Sequence, residues 1–308
     1  MTRTLIVGAG ATGGALGARL ITAGQDVAFL IRQRRARQLT ADGLRFRAPD
    51  VDVVHTACAV TELDGADPFD LVILAVKAPA LEAIIPTLAP GIRPETSIVP
   101  LLNGMAHIDL LERAFPGQVL GGIVKIVATL GEDATAVQMT PLCSLTVGGL
   151  HGETVPDKIR RTLDVDGIVL DIVDDIVSRL WEKWAFIAAA GVITCLFRGS
   201  IGDILAAGGE AQILQAIAEC EQVAEASGHP VSQAGHAQTL GLLTERGSAF
   251  TSSLYRDLRH GAPVEAEHII GDLAARAAAL KIPSPLLDSA LLQLRTHHQS
   301  VSRQPGKG

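Results

Sequence analysis

The sequence predicts an α/β fold in two domains, a parallel-sheet domain over residues 1–172 followed by an all-α domain over residues 173–308. Three observations support this prediction. The chain has 308 residues, more than one hydrophobic core usually supports. Its first half alternates short, continuous apolar runs with helical patterns, which is typical of parallel strands buried on both faces. From about Ile176 onward, the apolar spacing is that of long helices.

Composition and charge exclude several classes of protein. Hydrophobic residues make up 48% of the chain and charged residues 19%, as in a globular protein rather than a disordered one. The net charge of -7 argues against a nucleic-acid-binding face, which would be basic. The four cysteines form no CxxC pair, and no histidine stands at metal-ligand spacing. We therefore expect neither a disulfide framework nor a metal site.

The sequence also predicts no secretory or membrane-spanning segment. The opening residues, MTRTLIVGAGATGG, lack the long apolar region of a signal peptide. The apolar run after Lys183, residues 184–197, is shorter than the roughly 20 residues that span a bilayer, and it indicates a buried core helix. These features predict a cytoplasmic protein without a membrane partner.

A strand, a helix and a second strand are predicted within residues 4–32, TLIVGAGATGGALGARLITAGQDVAFLIR. The apolar run 5–7 meets the motif Gly8-x-Gly10-x-x-Gly13, a helical pattern covers residues 13–23, and a second apolar run covers residues 27–31. A GxGxxG motif that opens a helix directly after a strand predicts a dinucleotide site of the Rossmann type. The alternative is a glycine-rich turn without a chemical role.

Each glycine of this motif has a physical task at such a site. Gly8 permits a tight turn, Gly10 lets a pyrophosphate approach the backbone, and Gly13 lets the helix pack on the strand. The helix N-terminus offers its N–H groups and positive dipole end to the anion. The predicted cofactor-binding residues of this turn are Gly8, Ala9, Gly10, Ala11, Thr12 and Gly13.

The end of the second strand predicts which dinucleotide binds. An NAD site expects a carboxylate there for the ribose 2′-hydroxyl, whereas an NADP site tends to carry arginine. Here Arg32 ends the strand, and no carboxylate follows before Asp42. We predict that Arg32 binds the 2′-phosphate, because a guanidinium fork suits phosphate geometry, and that NADPH is the preferred cofactor. Arg35 and Arg37 fit a solvated, basic start of a helix.

Two further polar residues follow predicted strands. Lys77 comes directly after the apolar run 71–76, and Asn103 follows the run 97–101. Ligands bind at the carboxyl ends of strands in open α/β sheets, so both residues are predicted to face the cofactor. Asn103 and Gly104 also form a common turn pair, which is the alternative interpretation.

Other elements are predicted from apolar spacing and from glycine and proline positions. A strand covers residues 119–127, and a strand pair over residues 136–148 closes the edge of the first domain. In the second domain, helices are predicted over residues 206–227, 266–281 and 286–297.

Lys183 stands at the start of an almost wholly apolar helical run, RLWEKWAFIAAAGVITCLF. On a helix it shares a face with Ile187, Ala190, Gly191 and Thr194. Burying an unpaired ammonium costs several kcal/mol. By itself, the pattern therefore favours a lysine that reaches water from an early helical turn.

Five motifs occur in order along the chain: GAGATG, AVKA, LLNGM, LWEKW and SSLYRDLRHGAPVEAE. Together they resemble the ketopantoate reductase (2-dehydropantoate 2-reductase) family, which pairs an N-terminal Rossmann domain with a helical C-terminal domain. The resemblance covers nearly the whole chain. It implies that Lys183 is the general acid, with Glu265 as its acidic partner. It also implies that Lys77 and Asn103 contact cofactor and substrate, and that Ser253 binds the substrate carboxylate.

The chemistry agrees with these implied roles. Hydride delivery to a 2-oxo acid places negative charge on the carbonyl oxygen, and a lysine can stabilise that oxygen and protonate it. A carboxylate such as Glu265 would keep the lysine charged. The predicted function is NADPH-dependent reduction of a 2-oxo acid, as in pantothenate biosynthesis. The alternatives are a dehydrogenase of another hydroxy or amino acid, and a non-catalytic NADPH sensor. The sequence does not fix the oligomeric state, and a homodimer is compatible with it.

The sequence departs from the family at several polar positions. Where the family commonly has asparagine one and two helical turns after its lysine, this chain has Ile187 and Gly191, which we assign to the substrate site. Phe250, Ile270 and Ile201 replace further polar residues. An unpaired polar group in a site costs about 1 to 3 kcal/mol, so these changes bear on substrate choice. The hypothesis is an altered pocket that prefers a more apolar 2-oxo acid than ketopantoate.

Overall fold

The computed structural model describes residues 2–262 and 264–302 and divides the chain into two units. The first comprises Met1–Leu102 and His107–Ile176, and the second comprises Asn103–Ala106 and Val177–Gly308. All strands of the described chain belong to the first unit, and the second unit is helical. The predicted fold class is confirmed. The predicted boundary between residues 172 and 173 stays a prediction.

The regular elements of the described residues are ten strands and twelve α-helices. The strands are β1 (Arg3–Val7), β2 (Asp26–Leu30), β3 (Leu44–Ala48), β4 (Val51–His55), β5 (Cys58–Val60), β6 (Leu71–Leu74), β7 (Ser97–Pro100), β8 (Leu120–Leu130), β9 (Ala136–Gly149) and β10 (Val169–Ile172). The helices are α1 (Ala11–Thr22), α2 (Gln33–Asp42), α3 (Leu81–Leu88), α4 (Ala106–Ala114), α5 (Asp157–Leu163), α6 (Ile176–Phe197), α7 (Ile201–Ala206), α8 (Glu210–Ala226), α9 (Gln233–Leu243), α10 (Ser253–Arg259), α11 (Asp272–Ala279) and α12 (Pro285–Ser302).

The first sheet is wholly parallel, with the strand order β5-β2-β1-β6-β7. Its central strands read as continuous apolar runs because both of their faces are covered, and Leu5, Ile6 and Val72 are each 0% exposed. The strand order places the carboxyl ends of β2, β1 and β6 side by side. This is the edge at which the sequence predicts a dinucleotide site.

Helix α1 packs against both the first sheet and a second, mixed sheet. The second sheet has the order β10-β9-β3-β4, and β8 pairs antiparallel with β9. α1 contacts β1 and β2 of the first sheet and β3, β8 and β9 of the second. Its glycines make this closeness feasible, since a Cβ at Gly17 would lie 2.3 Å from the Phe29 ring. A bulkier residue there would push the helix off the first sheet.

The prediction of a strand pair over residues 136–148 is wrong. These residues form one long strand, β9, which pairs antiparallel with β8 and has a register shift between Ile126 and Ala128. β9 stays extended because its parallel neighbours change along its length, from β3 at its start to β10 near its end. The short strands β3, β4 and β5 were not identified from the sequence.

Two predicted helices of the second unit are interrupted. The predicted helix 206–227 is α8, which the turn at Gly208 (φ +88°) separates from α7. The predicted helix 266–281 begins with a π-helical turn, Glu267–Gly271, before α11. The predicted helix 286–297 is α12, which begins one residue earlier and continues to Ser302.

Helix α6 is the central apolar helix that carries Lys183. Among the described residues it alone is long and apolar enough to cross a membrane, with 22 residues and a mean hydropathy of 1.4. However, 67% of its most apolar window is buried inside the structure. Such burial is typical of a core helix, which is the predicted environment. The helix itself is longer than the apolar run 184–197, because it begins at Ile176.

A buried carboxylate on α8 holds the start of α12. Glu219 is only 6% exposed, and its oxygens accept hydrogen bonds from the backbone N–H groups of Leu286 and Leu287, both at 3.0 Å. The side chain of Gln215 donates a further bond at 2.9 Å. The first N–H groups of a helix have no acceptors within the helix, so Glu219 supplies them from a neighbouring one.

We expect Glu219→Gln to lower the free energy of unfolding by about 2 kcal/mol, because charge-assisted bonds to two buried N–H groups are weakened. The matched control is Glu210→Gln on the same helix. Glu210 forms a solvent-exposed ion pair with Arg246, so its loss should cost less than about 0.5 kcal/mol. Urea denaturation of both variants measures the difference, and equal costs would contradict the capping role.

Candidate functional site

The glycine turn after β1 shows why two of its glycines are needed by the fold. Gly8 has φ +100°, and a Cβ there would lie 2.9 Å from the Ala75 carbonyl oxygen of the chain that leaves β6. A Cβ at Gly13 would lie 2.0 Å from the Gly8 carbonyl oxygen. Both positions therefore exclude any side chain, because the start of α1 packs directly on the turn.

Gly10 is different, because nothing in the protein requires a glycine there. Its φ of -82° suits any residue, and no heavy atom lies within 4 Å of the Cβ position. Gly10 also gives α1 no side-chain cap, so the first N–H groups of the helix face the same open space. This space and its donors fit a dinucleotide pyrophosphate. Around it, Ala9 is buried, whereas Ala11 and Thr12 are half-buried.

The arginines after β2 differ in their surroundings. Arg32, directly before α2, is exposed, and its guanidinium forms no hydrogen bond or ion pair with the described residues. Arg35 donates hydrogen bonds to Gln38 Oε1 and to the Ala134 carbonyl oxygen, both at 3.0 Å, and its burial lowers its pKa. The expectation of a solvated Arg35 is therefore wrong, since this side chain fastens α2 to the loop between β8 and β9. Arg37 is exposed, as expected.

Lys77 lies just beyond the carboxyl end of β6. It is exposed and precedes a short 3₁₀ turn, Ala78–Ala80. Because β2, β1 and β6 are neighbours, the strand order brings Arg32, the glycine turn and Lys77 to one edge of the sheet. Their roles toward a cofactor stay predictions.

In the second unit, the Asn103 loop packs against the π-helical turn. Asn103 is half-buried, and Gly104 has φ +83°. A Cβ at Gly104 would lie 2.5 Å from the His268 carbonyl oxygen and 3.9 Å from Trp184 Nε1. The backbone at Gly104 thus approaches the π-helical turn so closely that only glycine fits, and Trp184 lies within ordinary van der Waals distance.

Lys183 is half-buried on α6, directly before a tryptophan that reaches the same turn. Trp184 is 1% exposed, and its indole N–H donates a 2.9 Å hydrogen bond to the Ile269 carbonyl oxygen. Glu265, also half-buried, precedes the turn by two residues. The structure therefore brings together the three segments that carry Asn103, Lys183 and Glu265.

Around Gly191, the face of α6 that follows Lys183 is apolar and filled by protein side chains. Ile187 is half-buried, whereas Gly191 is buried. Leu254 and Ile270 place methyl groups 3.5 and 3.6 Å from the Cβ position of Gly191. The family resemblance leads one to expect amides on this face. In this chain, apolar side chains lie at van der Waals distance from Gly191 instead. Whether Ile187 and Gly191 contact a substrate stays a prediction.

Ser253, the predicted carboxylate contact, is the exposed first residue of α10. Its neighbour Ser252 is buried and caps that helix, accepting a 3.1 Å bond from the N–H of Tyr255. The Ser252 hydroxyl also lies 2.7 Å from Thr194 Oγ1 on α6. The Ser252 cap was not predicted, although a serine directly before a helical pattern is a known capping signal. The sequence holds no comparable signal for the contact with Thr194.

The acidic motif that contains Glu265 holds a second carboxylate with a structural role. Glu267 forms two 2.7 Å hydrogen bonds with Arg295 of α12, and this guanidinium lowers the pKa of Glu267.

Within the described part of the chain, no group of three or more His, Cys, Asp or Glu side chains is placed to hold a metal ion.

The family models match both halves of this chain. Residues 4–152 match the model described as ketopantoate reductase PanE/ApbA, and residues 175–298 match its C-terminal model. The chain belongs to the ketopantoate reductase family. The family seen in the five motifs is thus confirmed.

Some relatives of this chain are named for a specific reaction, and others only as oxidoreductases. "Uncharacterized oxidoreductase YkpB" of Bacillus subtilis is 32% identical over 298 residues, which cover 95% of this chain and 98% of that protein. The 2-dehydropantoate 2-reductase of Archaeoglobus fulgidus is 27% identical over 279 residues, covering 89% and 90%. The ternary structure of D-mandelate dehydrogenase with NADH and anilino(oxo)acetate shares the fold. Its TM-score is 0.85 at 19% identity, covering 98% of this chain and 100% of that one.

For this ketopantoate reductase family member, we expect Gly10→Ala to weaken NADPH binding at least about tenfold, because the methyl group would enter the space before α1. Thermal stability should not change, since that space holds no protein atoms. The control is Gly241→Ala on α9, another position with no atoms nearby, which should leave binding intact. Fluorescence titration and thermal unfolding test both variants, and unchanged affinity in Gly10→Ala would contradict the assignment.

Proposed function

We propose that this protein reduces a 2-oxo acid to the 2-hydroxy acid with NADPH as the cofactor. The observation that carries the proposal is the convergence of the Asn103, Lys183 and Glu265 segments at the π-helical turn. Membership of the ketopantoate reductase family supports an oxidoreductase that uses a nicotinamide cofactor. A cytoplasmic location, a small-molecule substrate and a homodimeric assembly remain predictions.

The residues of the chain divide the chemistry between them in this proposal. The nicotinamide, when bound, supplies the hydride that reaches the carbonyl carbon. The Lys183 ammonium stabilises the negative charge that develops on the carbonyl oxygen and donates its proton there. The Glu265 carboxylate favours the charged form of the amine beforehand. The Asn103 amide orients the carbonyl group, and the Ser253 hydroxyl donates to the substrate carboxylate.

The preference for NADPH rests on Arg32. Its exposed guanidinium has no partner among the described residues, and it lies two residues beyond the end of β2, where a cofactor ribose is read. NADH is the alternative cofactor, since the D-mandelate dehydrogenase structure has the same fold and contains NADH.

We expect Arg32→Gln to raise the KM for NADPH at least about tenfold while changing the KM for NADH less than about twofold, because one charge-assisted phosphate contact is lost. Arg37→Gln, a neighbouring exposed arginine on α2, is the control and should change neither value. If Arg32→Gln weakened both cofactors equally, the 2′-phosphate assignment would fail.

The substrate is proposed to be more apolar than ketopantoate. Phe250 occupies a position where the family commonly has asparagine, and its ring lies 6.1 Å from that of Phe186 on α6. Phe186 stands one helical turn after Lys183, and both rings are half-buried. Gly191 is covered by Leu254 and Ile270 rather than by amides. The D-mandelate dehydrogenase structure, with its aromatic 2-oxo acid analogue, is a precedent on the same fold.

The experiment that tests the proposal is NADPH oxidation against a panel of 2-oxo acids, from ketopantoate to branched and aromatic ones. We expect Lys183→Ala to lower kcat by about 10²- to 10⁴-fold without changing NADPH affinity, because the proton donor is lost. The control is Lys125→Ala, an exposed lysine on β8.

Each outcome of the panel has a defined meaning. Strong and selective turnover of ketopantoate would refute the apolar pocket but keep the reductase. Turnover only of a hydroxy or amino acid in the oxidative direction would favour a dehydrogenase of another substrate. NADPH binding without turnover of any compound, unaffected by Lys183→Ala, would favour a sensor and overturn the proposal.

A further inference from the structure

Two successive carbonyl groups of the π-helical turn Glu267–Gly271 are contacted by other segments of the unit. The Gly104 backbone packs on the carbonyl oxygen of His268, and the indole N–H of Trp184 donates to the carbonyl oxygen of Ile269. A π turn places one extra residue in the helical ladder and redirects its carbonyl groups, and such turns are frequent at functional sites. Here the redirected groups receive partners from two distant segments.

The turn is also fixed from its other side. Glu267, its first residue, forms two hydrogen bonds with Arg295 of α12 at 2.7 Å. A Cβ at Gly271, its last residue, would lie 2.6 Å from the Glu267 carboxylate. The Arg295 contact therefore links the first residue of the turn to α12, and Gly271 leaves room for the Glu267 carboxylate within the turn.

The Trp184 ring has little freedom to rotate. It is 1% exposed, and the Trp181 ring lies 4.9 Å away. The Arg276 guanidinium stands 5.3 Å from the centre of the Trp181 ring and 5.4 Å from that of Trp184. Because the ring is held in this way, its N–H points in a fixed direction, and the hydrogen bond fixes the distance between α6 and the turn.

We infer that Trp184 is a positioning residue, whose indole N–H sets the placement of Lys183 relative to the segments that carry Asn103 and Glu265. Lys183 is the adjacent residue on α6, Glu265 precedes the turn by two residues, and Asn103 adjoins Gly104. A shift of the hydrogen bond would move all three segments. The inference rests on the proposed reductase function.

A role in packing alone would make a different prediction. Phenylalanine keeps an aromatic ring in the same cavity but has no N–H, so packing alone would tolerate Trp184→Phe. The nearby Trp181 provides a matched control, since it is also buried, at 3% exposed, and stacks on His229 at 5.1 Å. Its indole forms no hydrogen bond with the described residues.

The experiment compares Trp184→Phe with Trp181→Phe in the full-length protein, using the 2-oxo acid that the wild type reduces fastest. We expect Trp184→Phe to lower kcat about tenfold or more, because small misplacements of reacting groups are costly. Its KM for the 2-oxo acid, its NADPH affinity and its midpoint of thermal unfolding should change little. The pH profile of kcat should also shift, because the Lys183 environment changes. Trp181→Phe should keep kcat within about twofold of wild type, since phenylalanine keeps a ring against Trp184 and no hydrogen bond is lost.

The possible results separate the inference from the proposed function. Unchanged kcat and pH profile in Trp184→Phe would overturn the inference and leave the reductase intact. Equal losses in both tryptophan variants, in step with lower thermal stability, would also overturn it. A wild type that reduces no 2-oxo acid would overturn the proposed function itself.

A second variant tests the neighbouring contact on the same turn, between Gly104 and the His268 carbonyl oxygen. Gly104→Ala would place a methyl group 2.5 Å from the His268 carbonyl oxygen and should displace the loop. If Trp184→Phe does not fold, a folded Gly104→Ala with a lowered kcat and a shifted pH profile supports the inference. A folded Gly104→Ala with wild-type kcat overturns it.

Discussion

The hydrogen bond from the Trp184 indole to the Ile269 carbonyl, together with the contact of Gly104 with the His268 carbonyl, organises the candidate site of the second unit. Three stretches of chain that are far apart in sequence meet at this one turn. The contacts are made by backbone atoms and a buried ring, neither of which adapts readily to change. The polar residues proposed to act on a substrate are neighbours of these rigid groups.

The first unit relies on a similar constraint, the close approach of backbone to backbone. Gly13 packs on the carbonyl oxygen of Gly8, and Gly17 packs on the Phe29 ring, so that α1 lies close against the first sheet. The same helix also packs against the second sheet. With its position determined from both sides, the N-terminus of α1 presents its N–H groups to the open space at Gly10.

The candidate site of the second unit combines the polar residues that the family resemblance implies with apolar neighbours. Lys183, Glu265 and Asn103 are present and half-buried, whereas Ile187, Gly191 and Phe250 stand where the family resemblance leads one to expect amides. In the structure, Ile270 and Leu254 cover Gly191, and Phe250 stacks obliquely near Phe186. This combination fits the proposal that the protein reduces a 2-oxo acid whose side chain is more apolar than that of ketopantoate.

The sequence by itself determined the fold class, the family and the glycine turn, because these depend on local patterns. Continuous apolar runs, the spacing of three glycines and five ordered motifs can all be read without knowing what packs against what. Element ends were less predictable, as the single strand β9 and the break between α7 and α8 show, because they depend on neighbouring strands and on turns at single glycines.

Only the tertiary structure decided which polar groups are structural and which remain candidates for chemistry. Arg35 looks like Arg32 in sequence, yet it is fixed by a hydrogen bond to the Ala134 carbonyl oxygen. Glu267, in the acidic motif, is bonded to Arg295. The π-helical turn and the Thr194–Ser252 link left no usable pattern in the sequence. The physical reason is that a hydrogen bond between distant residues depends on where the whole chain places its two partners.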